Sequence, residues 1–191
     1  MFIDFLTLLM INLAAGMALL ALFVFRGMAA ENQRSFAAGF GMVGLIALIG
    51  GFQMVFTWPL PGSYNIAFGE STVLFGMVFL GAAVSLALGW DLLPVAVYAS
   101  FTGLQAVLVG IRIISLGLTR EPLASGAGFL LVGIGGMAAA PAVAFLKKSK
   151  ITRYLGTAVL AAAAFFWVLA FFQAMWGHLD SFSSWLPSTM R

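Results

Sequence analysis

The chain has 191 residues, of which 63% are hydrophobic and 8% charged, and its formal net charge is +3. Soluble domains carry about 25% charged residues, and one of this size could not hide so much apolar surface from water, so lipid is the solvent that fits. No cysteine is present, which excludes disulfides, thiolate catalysis and cysteine-ligated metals, and the single histidine, His178, excludes a multi-histidine metal or haem site within one chain.

A spanning helix needs roughly 20 mostly apolar residues. Six runs qualify, at about 2–25, 36–56, 71–90, 92–116, 123–145 and 155–176. They predict an all-α, polytopic membrane protein forming a single six-helix domain over 1–191. A closed barrel would show alternating segments of about ten residues, and these runs do not alternate. The first run opens Met1-Phe2-Ile3-Asp4 and meets its first basic residue, Arg26, only after the apolar stretch. A signal peptide has the reverse order, so a retained helix is expected.

Connections are short. The longest, Thr57–Glu70, reads TWPLPGSYNIAFGE, and Pro59, Pro61 and Gly62 break any helix there. Asp91 with Pro94, Thr119–Pro122 and Lys147–Lys150 make the later turns. The tail from Leu179 to Arg191 is Ser-rich, with Phe182 and Trp185 as interfacial anchors.

Loops one, three and five (26–35, 91 and 146–154) hold Arg26, Arg34, Lys147, Lys148, Lys150 and Arg153. The other side holds Arg120 and Arg191, with Arg112 inside a helix near it. The excess of basic residues on cytoplasmic loops therefore places loops one, three and five in the cytoplasm of a plasma (inner) membrane, with both termini outside. Asp4, Glu70, Glu121 and Asp180 fall outside, whereas Glu31 and Asp91 fall inside. One echo recurs: Ala38-Gly39-Phe40-x-x-Val43-Gly44 in the second helix and Ala127-Gly128-Phe129-x-x-Val132-Gly133 in the fifth. It suits either two inverted three-helix halves or Gly-rich packing faces common in membrane helices.

Arg112 is the most informative side chain, because a cation within hydrocarbon must pair or face water. Tyr98, Gln105 and Arg112 are seven residues apart, with Thr102 between them, giving a polar stripe on the fourth helix. Such a stripe faces either a water-filled path or a polar helix interface. Glu70, at the outer end of the third helix, is the expected partner of Arg112. Asp4, Glu70, Arg112, His178 and Asp180 fall at one outer depth, either as an ordinary headgroup layer or as a vestibule made pH-sensitive by its histidine. Trp58, Trp90, Trp176 and Trp185 fit an interfacial aromatic belt. Trp167 lies mid-span, as a constriction or a packed core residue. Asn12 and Gln53 suit interhelical hydrogen bonds. No phosphate loop, metal-ligand spacing or Ser/His/Asp set occurs, so no enzyme activity, cofactor or metal is expected. Membrane lipid and copies of the same chain are the expected partners, and nucleic acid is not.

The segment from Trp58 to Glu70, WPLPGSYNIAFGE, resembles the signature of the "domain of unknown function 981" family of bacterial and archaeal membrane proteins. Phe2-Ile3-Asp4 and Thr119-x-x-Pro122 are similar too, and the likeness covers the whole chain. That resemblance implies a membrane architecture and no established activity. A looser architectural likeness is to the AmiS/UreI family of urea and amide channels, which implies six helices, termini outside and rings of protomers. The stretch Phe68-Gly69-Glu70-Ser71-Thr72-Val73-Leu74-Phe75-Gly76 falls where that family has its third helix. The expectation is a channel or facilitator for a small, urea- or amide-like or otherwise polar solute. Glu70 and Arg112 stand at its mouth, Tyr98, Thr102 and Gln105 along the path, and Trp167 narrows it. The rival expectations are a non-transporting accessory subunit and, with Glu70 and Asp4 as acid and base, a small intramembrane enzyme.

Overall fold

The structure, a computed structural model, describes residues 4–26, 28, 32–146 and 150–185. Phe2, Ile3, Glu31, Lys147, Lys148, Arg191 and the tail beyond Trp185 lie outside the described residues. Six helices carry the fold: α1 Leu6–Phe25, α2 Ala37–Thr57, α3 Ser71–Leu88, α4 Leu93–Leu116, α5 Pro122–Met137 and α6 Lys150–Ser181. A 3-10 turn, Arg34–Phe36, leads into α2, and a π-helical turn, Asn65–Glu70, leads into α3. No strand occurs among the described residues. The fold is that of a six-helix membrane protein, each helical stretch long and apolar enough to cross a bilayer. The physical reason is that lipid offers backbone N–H and C=O groups no partner, so each spanning segment bonds within itself.

α6 runs further than its apolar core. Its 32 residues make roughly 48 Å at 1.5 Å per residue, beyond the roughly 30 Å of hydrocarbon. Lys150, Arg153, His178 and Asp180 look like boundaries in sequence, yet polar side chains at an interface leave the helical backbone bonds intact.

The helices associate in three pairs. α1 packs chiefly on α6, α2 on α3 and α4 on α5, and contacts between pairs are sparser. Glycine sets two of these crossings. A Cβ on Gly44 would lie 2.7 Å from Leu80 N and 3.0 Å from Gly76 O. A Cβ on Gly103 would lie 2.5 Å from Gly133 O, and one on Gly110 2.8 Å from Gly126 O. Side chains other than hydrogen have no room there, so the backbones touch. Gly44 and Gly133 are the matching glycines of the two echo segments, but Gly44 meets the following helix and Gly133 the preceding one. Two inverted three-helix halves would pair α5 with α6 as α2 pairs with α3. The packing does not follow that pattern.

α5 ends at Met137, and the chain continues through a helical turn, Ala139–Pro141, and a π-helical turn, Ala142–Leu146. Pro141 has no N–H to give the Met137 carbonyl. Ser100 of α4 sits at the break: its one hydroxyl hydrogen is shared between Ala96 O at 3.1 Å and Met137 O at 3.3 Å, and its oxygen accepts from Ala140 N at 3.4 Å. Sequence periodicity reads this stretch as one helix because the apolar run is unbroken.

Backbone contact at the α4–α5 crossing predicts that Gly103→Ala lowers the thermal midpoint by roughly 2–12 °C, the effect of about 1–3 kcal/mol of overpacking. Gly177→Ala, where a Cβ meets nothing within 4 Å, does not lower it and raises it slightly if anything, since Ala is the better helix former. Helix content followed by circular dichroism in detergent checks both, and equal midpoints would contradict the close crossing.

Candidate functional site

A cavity of about 240 Å³ lies between the three helix pairs, and all six helices contribute to its wall. Leu6, Met10, Leu13, Met17, Leu20 and Phe23 line it from α1. Their three- and four-residue spacing puts them on one helix face, so the cavity follows α1 for roughly 26 Å. α4 contributes small residues, Ala96, Ala99, Gly103 and Ala106, which leave room where large side chains would close it. Among the described residues, no lining residue is ionisable.

The end that carries the termini is covered by the Thr57–Glu70 loop. Trp58 ends α2 in the left-handed region, at φ 47°, and Pro59 cannot donate to continue the helix. Asn65, fully buried, holds the loop: its Oδ1 accepts from Leu60 N at 3.0 Å, and its Nδ2 donates to Leu60 O at 2.5 Å and Gly62 O at 3.2 Å. Leu60 then packs on Phe5, Leu9 and Met54. Tyr64 stacks on Phe68, Phe68 leans on Phe129, and Phe129 meets Trp167 edge-on, each pair with centroids 5.9 Å apart. This aromatic chain runs from the loop to α6, and its last three members line the cavity.

At the opposite end sits a small pocket of about 80 Å³ bordered by Gln33, Trp90 and Asp91. It shares Phe23, Leu92 and Val143 with the main cavity. Three apolar side chains therefore separate a polar recess from the apolar interior.

Polar atoms on the cavity wall are few. Ser71 Oγ donates to Ala67 O at 2.6 Å, and Gln105 Nε2 donates to Ser71 Oγ at 3.0 Å. A hydroxyl has one hydrogen; with Ser71's spent on the shorter bond, Gln105 is the donor between them. Thr102 Oγ1 returns to its own helix at Tyr98 O, 3.2 Å. Asn12 Nδ2 donates to Val43 O at 2.9 Å and joins α1 to α2. The buried Trp167 Nε1 has no hydrogen-bond partner among the described residues.

Of the residues expected along a path, Thr102, Gln105 and Trp167 line the cavity. Tyr98, Arg112 and Glu70 do not; all three are exposed on the flank of the bundle. The expected Glu70–Arg112 pair is not formed among the described residues. Arg112 Nη1 instead lies 3.4 Å from Ser115 Oγ, one turn further along α4. Ile113 is fully buried and Gly110 packs on α5 at that level, so the inward side of α4 is taken. Arg112 is left outside, close enough to the helix end for a long side chain to reach the interface. Of the ionisable residues expected at one outer depth, Asp4 and His178 come together, Oδ2 to Nδ1 at 2.9 Å, tying the start of α1 to the end of α6. Asp180 is exposed. Sequence reasoning missed Ser71, Thr72, Phe68, Phe129 and the lining face of α1. The regular spacing of that face was a usable signal, as was the Ser71-Thr72 doublet inside an apolar run.

The sequence profile of the family described as "Protein of unknown function (DUF981)" matches residues 1–181, and the chain belongs to that family. No curated protein and no solved structure matches it.

Replacing Asn65 by Leu strands the Leu60 N–H and carbonyl in a buried turn. The expected cost is about 1–3 kcal/mol, with faster protease cleavage between residues 58 and 64. Thr57→Val, which removes only a bond back to Gln53 O, leaves both measurements near the parent's. Unchanged cleavage in the Asn65 variant would contradict its role as the loop's clasp.

Proposed function

We propose that the chain is a facilitator for a small uncharged solute, with the path through the interior of each six-helix protomer. The observation that carries this reading is the cavity that follows α1 from Leu6 to Phe23, a length comparable with the hydrocarbon thickness of a bilayer. Pockets of this kind, apolar with a few convergent polar groups, are where small molecules bind. The lack of ionisable lining residues among the described ones favours neutral solutes, since an ion would lose its hydration with nothing in return. The mostly apolar wall favours amides less polar than urea. Phe23, Leu92 and Val143 serve as the gate between the cavity and the recess at Gln33 and Asp91. The placement of basic residues supports loops 26–35, 91 and 146–154 on the cytoplasmic side of the plasma membrane, and in this reading several such protomers stand in a ring.

A second reading is retention without passage, in which the protein holds a molecule for a larger membrane complex. The aromatic chain Tyr64–Phe68–Phe129–Trp167, which covers the terminal end of the cavity, favours it.

Shrink–swell rates in proteoliposomes separate the two. Facilitation predicts that acetamide or butyramide enters several-fold faster than into protein-free vesicles, while potassium chloride does not. Leu92→Ala raises the amide rate by roughly two- to tenfold, a barrier change of up to about 1.4 kcal/mol. Protein-free rates for every neutral solute, or salt entry, would rule facilitation out.

A further inference from the structure

We infer that the cavity is a binding site for a neutral, mostly apolar molecule bearing one hydroxyl or carbonyl oxygen, anchored at Gln105. The inference rests on the reading that the cavity receives solute, and it holds for passage and for retention alike.

Size comes first. A cavity of about 150 Å³ accepts benzene, so 240 Å³ scales to roughly ten non-hydrogen atoms. Chemistry comes second. Gln105 spends one N–H on Ser71. Its other N–H has no partner among the described residues, and its carbonyl oxygen, 3.2 Å from Ser71 Oγ, stays open as an acceptor because the Ser71 hydrogen goes to Ala67 O at 2.6 Å. The hydroxyl of Thr72, beside Ser71 on α3, makes no hydrogen bond among the described residues, and both Thr72 and Gln105 line the cavity. One stretch of wall thus offers a donor and an acceptor in surroundings of Leu, Met, Phe and Ala.

A ligand oxygen placed there gains bonds that water has no share in. A second polar group elsewhere on the ligand would meet hydrocarbon, and each such group weakens binding roughly tenfold or more. A charge is excluded more strongly, because no counter-ion stands on the wall among the described residues. Ser71 holds Gln105 in place, which makes the carboxamide a preorganised anchor rather than a floating one.

Trp167 supplies the readout. It is 6% exposed and lines the cavity, whereas Trp58, Trp90, Trp176 and Trp185 are between 39% and 72% exposed. A full-length chain with those four changed to Phe, in lipid nanodiscs, reports cavity occupancy by the emission of Trp167 alone. The probes are 2-cyclohexylethanol and ethylcyclohexane, which share a skeleton and differ by a hydroxyl, compared at equal mole fraction in the bilayer. The alcohol is expected to half-saturate the signal at about tenfold lower mole fraction, the worth of one satisfied hydrogen bond in a dry site. Gln105→Leu brings the two probes within about twofold while the hydrocarbon still binds.

Equal affinity of the two probes with Gln105 present would mean that the cavity takes up any hydrocarbon, lipid tails included, and would overturn the assignment. Binding of neither probe would overturn it as well, and both comparisons stand even if the Leu variant fails to assemble. Tenfold selectivity with no solute flux would leave this site intact and remove only the facilitator.

Discussion

Close backbone contact between helices is the constraint on which this structure depends. In lipid an apolar side chain gains little by touching another protein helix, because hydrocarbon tails are equally apolar. Association must come from tight van der Waals fit, and that requires small residues at the crossings. Gly44 against α3, and Gly103, Gly110 and Gly133 between α4 and α5, provide it. The α1–α6 pair uses alanines instead, with Ala21, Ala163 and Ala164 buried in one cluster and Thr157 reaching the Ala21 carbonyl at 3.5 Å. Tightness within pairs and looser contact between them leave the space that large side chains of α1 and α3 border. The cavity is therefore a consequence of where the glycines are.

A second requirement runs beside the first: each backbone polar group freed by a break needs an answer, since water is remote. Ser100 shares its hydroxyl hydrogen with the carbonyl that Pro141 abandons and accepts from Ala140 N, and Asn65 covers Leu60 in the one long loop. Both devices use a short side chain reaching across to backbone. They also fix what the cavity needs at its ends. The turn after α5 places Val143, and the clasped loop places Leu60 and Phe68.

Charge plays a smaller part inside than the composition invites one to suppose. Arg112 lies on the flank, and the Asp4–His178 hydrogen bond joins α1 to α6 where both side chains are partly exposed. Exposed contacts of that kind contribute little to stability, but this one ties the two helices of the α1–α6 pair together at their ends. The interior is left to neutral groups, which is why its chemistry points to an uncharged ligand.

The amino-acid sequence by itself determined the solvent, the number of helices and, within a few residues, most of their ends. Run length and the absence of charge decide these, because lipid tolerates only internally bonded segments of sufficient length. Thr102, Gln105 and Trp167 were legible as polar or aromatic interruptions on otherwise apolar helices. The extent of α6, the break at Pro141 and the clasp at Asn65 were not, since each depends on what neighbouring elements offer the backbone. Only the tertiary structure decided which side of α4 faces inward. Periodicity places Tyr98, Gln105 and Arg112 on related positions of a helix, but it contains no information about partners. The glycine crossings with α5 orient α4, turning Gln105 toward the cavity and leaving Arg112 outside. Angular position within a helix is local, whereas inside and outside are defined by the other five.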